Sequence, residues 1–292
     1  MGGELPRARP AADGHGTLIA DVPCRKCGYN LRGLSESTRC PECGVPVGLS
    51  LLGDLLRFAE PDWVHRVARG LTIILWMIPI QLVVGVIVVV LTPGSLTAGA
   101  LVPLAAGIIS FYGAWLMTEP DPSRVGEDVN ITARKVIRVS LIIGLASQPL
   151  SIGLEQGGAS GSISVVLGLI SSAVILVGLV GEFAKFIYYE RLARRIPDDK
   201  LASRARFLRW AWTLALLLPT ALGGVIMLLA GRGLTGAALG IACLSPLVGV
   251  ALLVFGVMTL LLLLRLRKAL VEQAKLARAT WAAGSPPKAA PS

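Results

Sequence analysis

Six runs of about twenty consecutive apolar residues divide this chain, and no other feature restricts its fold so severely. A helix rises about 1.5 Å per residue, so each run matches a hydrocarbon slab roughly 30 Å thick. The runs are Leu71–Leu91, Leu96–Met117, Val136–Leu154, Ser162–Val180, Phe207–Ala230 and Ala237–Leu264. Composition agrees, because a chain that is 54% hydrophobic and only 16% charged has more apolar surface than one water-facing core can absorb. In lipid every backbone N–H and C=O must be paired internally, which leaves helices or closed barrels. Barrel strands alternate in polarity, and nothing here alternates. The expected fold is therefore all-α, a six-helix transmembrane bundle over residues 71–264.

The cations set the orientation. Of 28 Lys and Arg residues, nine precede the first run, four lie in Thr118–Arg138, eight in Glu182–Arg209 and six follow Leu264. The turns Thr92–Ser95 and Glu155–Gly161 carry none, and Arg232 alone falls on their side. Cationic short loops stay in the cytoplasm, so the pattern predicts a multi-pass inner-membrane protein with both termini cytoplasmic. A missing or extra span would scramble this alternation. The net charge of +10 then needs no partner beyond the bilayer and its anionic headgroups. No apolar segment of signal-peptide length precedes residue 71, so the amino-terminal region is expected to stay attached.

Within that region lie two C-x-x-C pairs, Cys24/Cys27 and Cys40/Cys43, with twelve residues between them. Such a pair lets two sulfurs meet one ion from a tight turn, and Gly28 and Gly44 suit the positive φ that such turns favour. The spacing predicts a zinc ribbon over residues 21–48, closed by a short strand at Tyr29–Leu34, with Zn²⁺ held by four cysteines. A reducing cytoplasm argues against disulfides, and no βαβ context supports a redox pair. A full sulfur shell leaves no position for an activated water, so the zinc is structural. The ribbon then acts as a folded cap or as a docking site for a protein partner. Arg25, Lys26, Arg32 and Arg39 suggest nucleic acid, but Asp21, Glu36 and Glu42 dilute the patch and Tyr29 is its single stacking ring, so that partner is disfavoured.

The phrase C-x-K-C-G-Y-N-L-R-G-L followed by C-P-E-C-G resembles the amino-terminal zinc ribbon of an uncharacterised, planctomycete-type group of multi-pass bacterial membrane proteins. The matching positions are Cys24, Cys27, Gly28, Tyr29, Leu31, Arg32, Gly33, Leu34, Cys40, Pro41, Cys43 and Gly44. Thr118–Pro122 and Leu192–Asp198 are similar to further phrases of that group. The resemblance implies architecture and compartment, not an activity.

The remaining segments carry less chemistry. Residues 1–20, Pro-, Gly- and Ala-rich and holding His15, are expected to form a disordered tail. Residues 49–70 read as an interfacial helical linker, with Trp63, Val64, Val67 and Leu71 on one face and His65, Arg66 and Arg69 on the other. Residues 265–292 repeat that device, with Leu266, Leu270, Ala274, Ala277 and Trp281 on one stripe before an unstructured tail. The loop Glu119–Asp128 reads as a solvated acidic loop rather than a cation site.

Inside the spans no ionisable group lies near the centre. Gln81 beside Pro79 and Gln148 beside Pro149 are the polar residues that remain. Each amide can satisfy carbonyls freed by proline; alternatively the pair marks a transporter site, or that of a transporter subunit. Small residues at Ser164, Gly168 and Ser172, at Ala106, Ser110 and Ala114, and at Ala211 and Ala215 predict close helix contacts, within the bundle or in a homo-oligomer. Cys243 reads as a small packing residue. No Ser/His/Asp set, HExxH or P-loop is present, so the expectation is a non-enzyme.

Overall fold

A computed structural model of the chain describes residues 13, 16–52, 54–91, 96–122, 132–157, 162–234, 243 and 245–283. Behind a small cysteine-bearing module and a single helical turn, α1 (Val47–Ser50), comes a 3-10 turn at Leu56–Phe58. Six long helices follow: α2 (Pro61–Leu91), α3 (Leu96–Met117), α4 (Thr132–Gly157), α5 (Ser162–Arg194), α6 (Asp199–Gly231) and α7 (Ser245–Ala283). No strand occurs among the described residues. The fold is all-helical, as the apolar runs require.

Local signals account for the helix ends. Pro61 opens α2, where its missing N–H costs nothing. Between α5 and α6, Pro197 stops one helix, and the Asp198 carboxylate accepts the backbone N–H groups of Lys200 at 3.1 Å and Leu201 at 3.3 Å to start the next. Arg191 and Arg194 lie in the last turn of α5, where cations suit the helix dipole.

Each helix packs on its sequence neighbours, and α7 returns to α2, so the six close into a ring. Among the described residues, α2, α5, α6 and α7 are long and apolar enough to cross a bilayer. They supply Pro61–Val88, Ile170–Arg194, Asp199–Ile226 and Ser245–Ala282. α3 adds a shorter apolar stretch, Leu104–Met117. α4 begins with Arg134, Lys135 and Arg138, which shortens its apolar portion. No more than 17% of each spanning window is buried within the protein, which leaves most of these apolar side chains partly or fully exposed.

The core sits instead at the end of the bundle nearest the cysteine module. It gathers Leu56, Trp63, Val67, Met117, Ile137, Phe186, Tyr189, Ile196, Leu208, Leu266 and Leu270 among others. This changes the reading of residues 49–70. Trp63, Val64, Val67 and Leu71 do share a face, but that face is buried to 1% exposure or less and belongs to the first turns of α2. The stripe packs against protein, not headgroups, because α7 lies alongside it. The same correction applies after residue 264, since Leu266, Leu270 and Ala274 join this core and the Trp281 indole donates to the Phe58 carbonyl at 3.3 Å. At 39 residues, α7 is roughly 58 Å long, about twice the hydrocarbon thickness, so its last turns extend past the membrane as packed helix.

Small residues set the closest helix contacts, at positions only partly anticipated. Ala106 and Ala114 on α3 and Ala215 on α6 are buried, whereas Ser172 is exposed; the side chain of Ser164 and the surroundings of Gly168 lie outside what is described. The tightest approaches fall at glycines. A Cβ at Gly70 would meet the Gly113 carbonyl at 2.5 Å and the Met117 nitrogen at 2.6 Å across the α2–α3 seam. One at Gly181 would run into the Ser140 hydroxyl across the α4–α5 seam. Gly70→Val is therefore expected to lower stability by about 1–3 kcal/mol through overpacking, whereas Gly85→Ala, with open space around its Cβ, is expected to be near neutral. Thermal unfolding in detergent checks this, and equal melting of the two variants would contradict the assigned contact.

Candidate metal centre

The module is built from two copies of one turn. Cys24 donates its N–H to the Tyr29 carbonyl at 2.7 Å, and Cys40 donates to the Val45 carbonyl at 2.8 Å. Gly28 and Gly44 each donate to the carbonyl of the cysteine four residues earlier at 2.9 Å. Both glycines have left-handed backbones, with φ of +79° and +72°, which a side chain would strain. Isolated bridges Pro23–Asn30 and Arg39–Pro46 close the two turns, and these take the place of the strand expected at Tyr29–Leu34. The chain between the turns is too short and too rich in turn hydrogen bonds to build a ladder.

A small apolar centre supports the turns. Leu18, Val22, Leu31 and Val47 are buried with Cys24 and Cys40. Leu18 exchanges hydrogen bonds with Leu34 and Gly33 at 3.0 and 2.8 Å, so the module begins before residue 21 and takes in residues first read as tail. His15, in that tail, lies outside the described residues.

The four sulfurs converge. The Cys24 and Cys43 Sγ atoms are 3.5 Å apart, those of Cys27 and Cys40 are 3.6 Å apart, and all four lie within 4.8 Å of one another. Disulfide sulfurs would sit at about 2.05 Å, whereas four sulfurs at about 2.3 Å from one tetrahedral ion would be roughly 3.8 Å apart. The donor set thus fits a metal ion and not a disulfide pair. Burial pushes the Cys43 thiol up to about 12, with hydrogen bonds to the neighbouring sulfurs adding to it. Cys40 goes the other way: burial would raise it, but N–H groups of Cys43 and Glu42 bring it down.

Arg25, inside the first turn, is 2% exposed. It points away from the sulfurs, toward the bundle. Its N–H donates to the Ser50 hydroxyl at 3.0 Å, and its Nη2 to the Leu52 carbonyl at 2.7 Å. Burial lowers its pKa to about 10; Asp121 and Asp54 attract the guanidinium, and Arg195 repels it. Arg195, in the α5–α6 turn, pairs with Asp121 at 2.7 Å and Asp54 at 2.9 Å, and its guanidinium carbon lies 5.3 Å from the Trp63 ring centroid. Two arginines and two aspartates thus join the module to the helix ends. Arg25 is accordingly withdrawn from the basic patch that had raised nucleic acid as a partner. Arg32 faces Asp21 at 3.6 Å, and Arg39 donates to the Gly44 carbonyl at 3.1 Å.

Other residues fall into place around this junction. The acidic loop is not wholly solvated: Asp121 is buried and Glu119 pairs with Arg66 at 2.7 Å, while residues 123–131 lie outside the described set. Glu190, unremarked in sequence, accepts from Arg194, Arg206 and Arg209 at 2.6, 2.9 and 3.0 Å. Gln81 is exposed on α2, its amide nitrogen 3.5 Å from the Ser110 hydroxyl of α3. The side chain of Gln148 lies outside the described residues. His65 is exposed, and Cys243 is exposed ahead of α7 rather than packed within a span. Asp121 and Arg195 belong to the phrases Thr118–Pro122 and Leu192–Asp198, which meet here in space. A lone Asp and a lone Arg some seventy residues apart offer no periodic signal that would have paired them.

Comparison with protein-family models, curated proteins and solved structures gives no match to this chain. What the fold and the site define together is a helical membrane protein with a four-cysteine metal-binding module at one end of its bundle.

Because each cysteine must give up its proton to bind, metal affinity rises with pH and falls on acidification. Metal content per chain after dialysis is expected to be lower at about pH 5 than at about pH 8. Retention that does not change over that range would contradict ligation by thiolates.

Proposed function

We propose that this is a six-span inner-membrane protein with both termini cytoplasmic. Its four cysteines hold one structural Zn²⁺, and the zinc module serves as a non-catalytic scaffold for a protein partner. The carrying observation is the site itself: four cysteine sulfurs around one point, with no fifth donor among the described residues and no position left for a reacting molecule. Soft thiolates in tetrahedral array favour zinc over harder divalent ions. The segregated cations favour the cytoplasmic side, and the ribbon phrase favours kinship with the ribbon-bearing bacterial group.

One face of the module is spent on the bundle through Arg25. Elsewhere the module leaves Ile19 at 52% exposure and Tyr29 at 39%, with Lys26 and Arg32 also exposed, and these exposed side chains support a partner reading. The transport alternative needs Gln81 and Gln148 to share a cavity. The contact of Gln81 with Ser110 favours helix bridging instead.

Affinity capture from native membranes, with the chain intact and with Cys24→Ser/Cys27→Ser, tests the scaffold. Partners should be lost from the variant while it remains in the membrane. Identical capture from both would overturn the role given to the module. A reporter fused ahead of Cys24 should be active in the cytoplasm, and activity only in the periplasm would overturn the orientation.

A further inference from the structure

We propose that the metal site and the bundle are linked: the metal-closed turn holds Arg25 in the buried charge cluster, and the cluster holds the ends of α3 and α5 together. This rests on the reading that the four cysteines bind metal, but not on which ion or on the scaffold role. Arg25 lies between the ligands Cys24 and Cys27, so the turn those sulfurs close fixes its backbone. Its side chain is buried at the junction, with Nη2 donating to the Leu52 carbonyl at 2.7 Å, two residues before the Asp54 that pairs with Arg195, and it feels the charges of Asp121, Asp54 and Arg195. The Asp121 side chain is fully buried, and those of Arg195 and Asp54 are 13% and 32% exposed.

Charge balance makes the link. With Arg25 in place, two cations face two anions. With Arg25 withdrawn, two carboxylates share one guanidinium, and the one that is fully buried, Asp121, is left under-compensated where an uncompensated charge is strongly destabilising. The strain is relieved by parting an aspartate from Arg195. That separation gives up contacts which tie three segments together: Asp121 to the α5–α6 turn, the Leu56 N–H to the Arg195 carbonyl at 3.0 Å, and Arg195 Nε to the Asp54 carbonyl at 3.1 Å. Loss of metal at the module is thereby read as loosening at the helix ends. Linkage is reciprocal, so whatever the cluster gains from metal, the metal site gains from the cluster.

The test uses the full chain in detergent micelles, loaded with Zn²⁺ and challenged with a chromogenic chelator. Asp121→Asn touches no ligand and keeps its shape. It is expected to bind Zn²⁺ about tenfold more weakly than wild type, read from equilibrium competition with the chelator. In the wild-type chain, chelation is expected to speed hydrogen exchange at the amides of Leu56, Ile196 and Leu201 as well as within the module. Binding by Asp121→Asn at the wild-type affinity, or exchange that changes only within residues 16–52, overturns the link while leaving the metal reading intact. A wild-type chain that holds no stoichiometric ion overturns the metal reading, and this proposal with it. If Asp121→Asn does not fold, Asp54→Asn probes the same cluster with the same two outcomes.

Discussion

Four charges set where the cysteine module meets the helix ends, Arg25 and Asp121 buried and Arg195 and Asp54 partly so, carry the tertiary organisation of this protein. Asp121 closes the end of α3, Arg195 forms the turn between α5 and α6, Asp54 belongs to the segment leading into α2, and Arg25 comes from the metal-binding turn. None of these elements is near another in sequence. Buried ion pairs are costly to assemble and more costly to break, so such a cluster specifies an arrangement more than it adds stability. The surrounding bonds serve the same end. Tyr188 donates to the Met117 carbonyl at 2.6 Å, the Trp63 indole to the Glu119 carbonyl at 3.0 Å, and Arg138 to the Thr118 carbonyl at 2.9 Å. Each satisfies a carbonyl at or just past the end of α3, where the helix leaves carbonyls without internal partners.

The bundle is in consequence asymmetric along its axis. In lipid an apolar side chain gains little by moving from acyl chains to another helix, so the outer parts of the spans have no solvent-driven reason to pack. Near the module the same helices build a conventional core of Trp63, Phe186, Tyr189 and Leu270. Glycine contacts extend this order along the helices. Gly70 against Gly113 and Gly181 against Ser140 bring backbones close enough for dispersion to act where hydrophobic burial cannot.

Much of this was legible in sequence because its signals are local. Apolar runs mark helices, the C-x-x-C spacing marks the metal turns, and Gly28 and Gly44 sit where a left-handed backbone is needed. The stripe at Trp63, Val64, Val67 and Leu71 was legible as a stripe, but its partner was not. An amphipathic face looks the same whether it meets headgroups or α7, and only the fold brings α7 alongside. The buried charges were the least legible. Arg25 reads as one of several surface cations, Asp121 as part of an acidic loop and Glu190 as an ordinary helix residue, because burial of a charge depends on partners far away in the chain. Leu18 failed for a related reason, since the three-residue apolar patch Leu18–Ala20 in a polar segment gives no period from which burial can be inferred.

A module this small buries too little to fold on its own contacts. Two supports meet at Cys24–Cys27: the sulfurs converge with those of Cys40 and Cys43 where they could hold an ion, and Arg25 turns toward the bundle on the other side. Cys24 and Cys40 are buried in the module's apolar centre while Cys27 is exposed, so the sulfur cluster keeps a side open to solvent. The side facing the helices is closed by Ser50, Leu52 and the charge cluster. An ion can therefore reach the cysteines without disturbing the junction, whereas the junction cannot hold its geometry unless the turn carrying Arg25 is shaped. Of the two supports, the ion is the one solution conditions can change, which makes metal supply the variable on which the order of the helix ends depends.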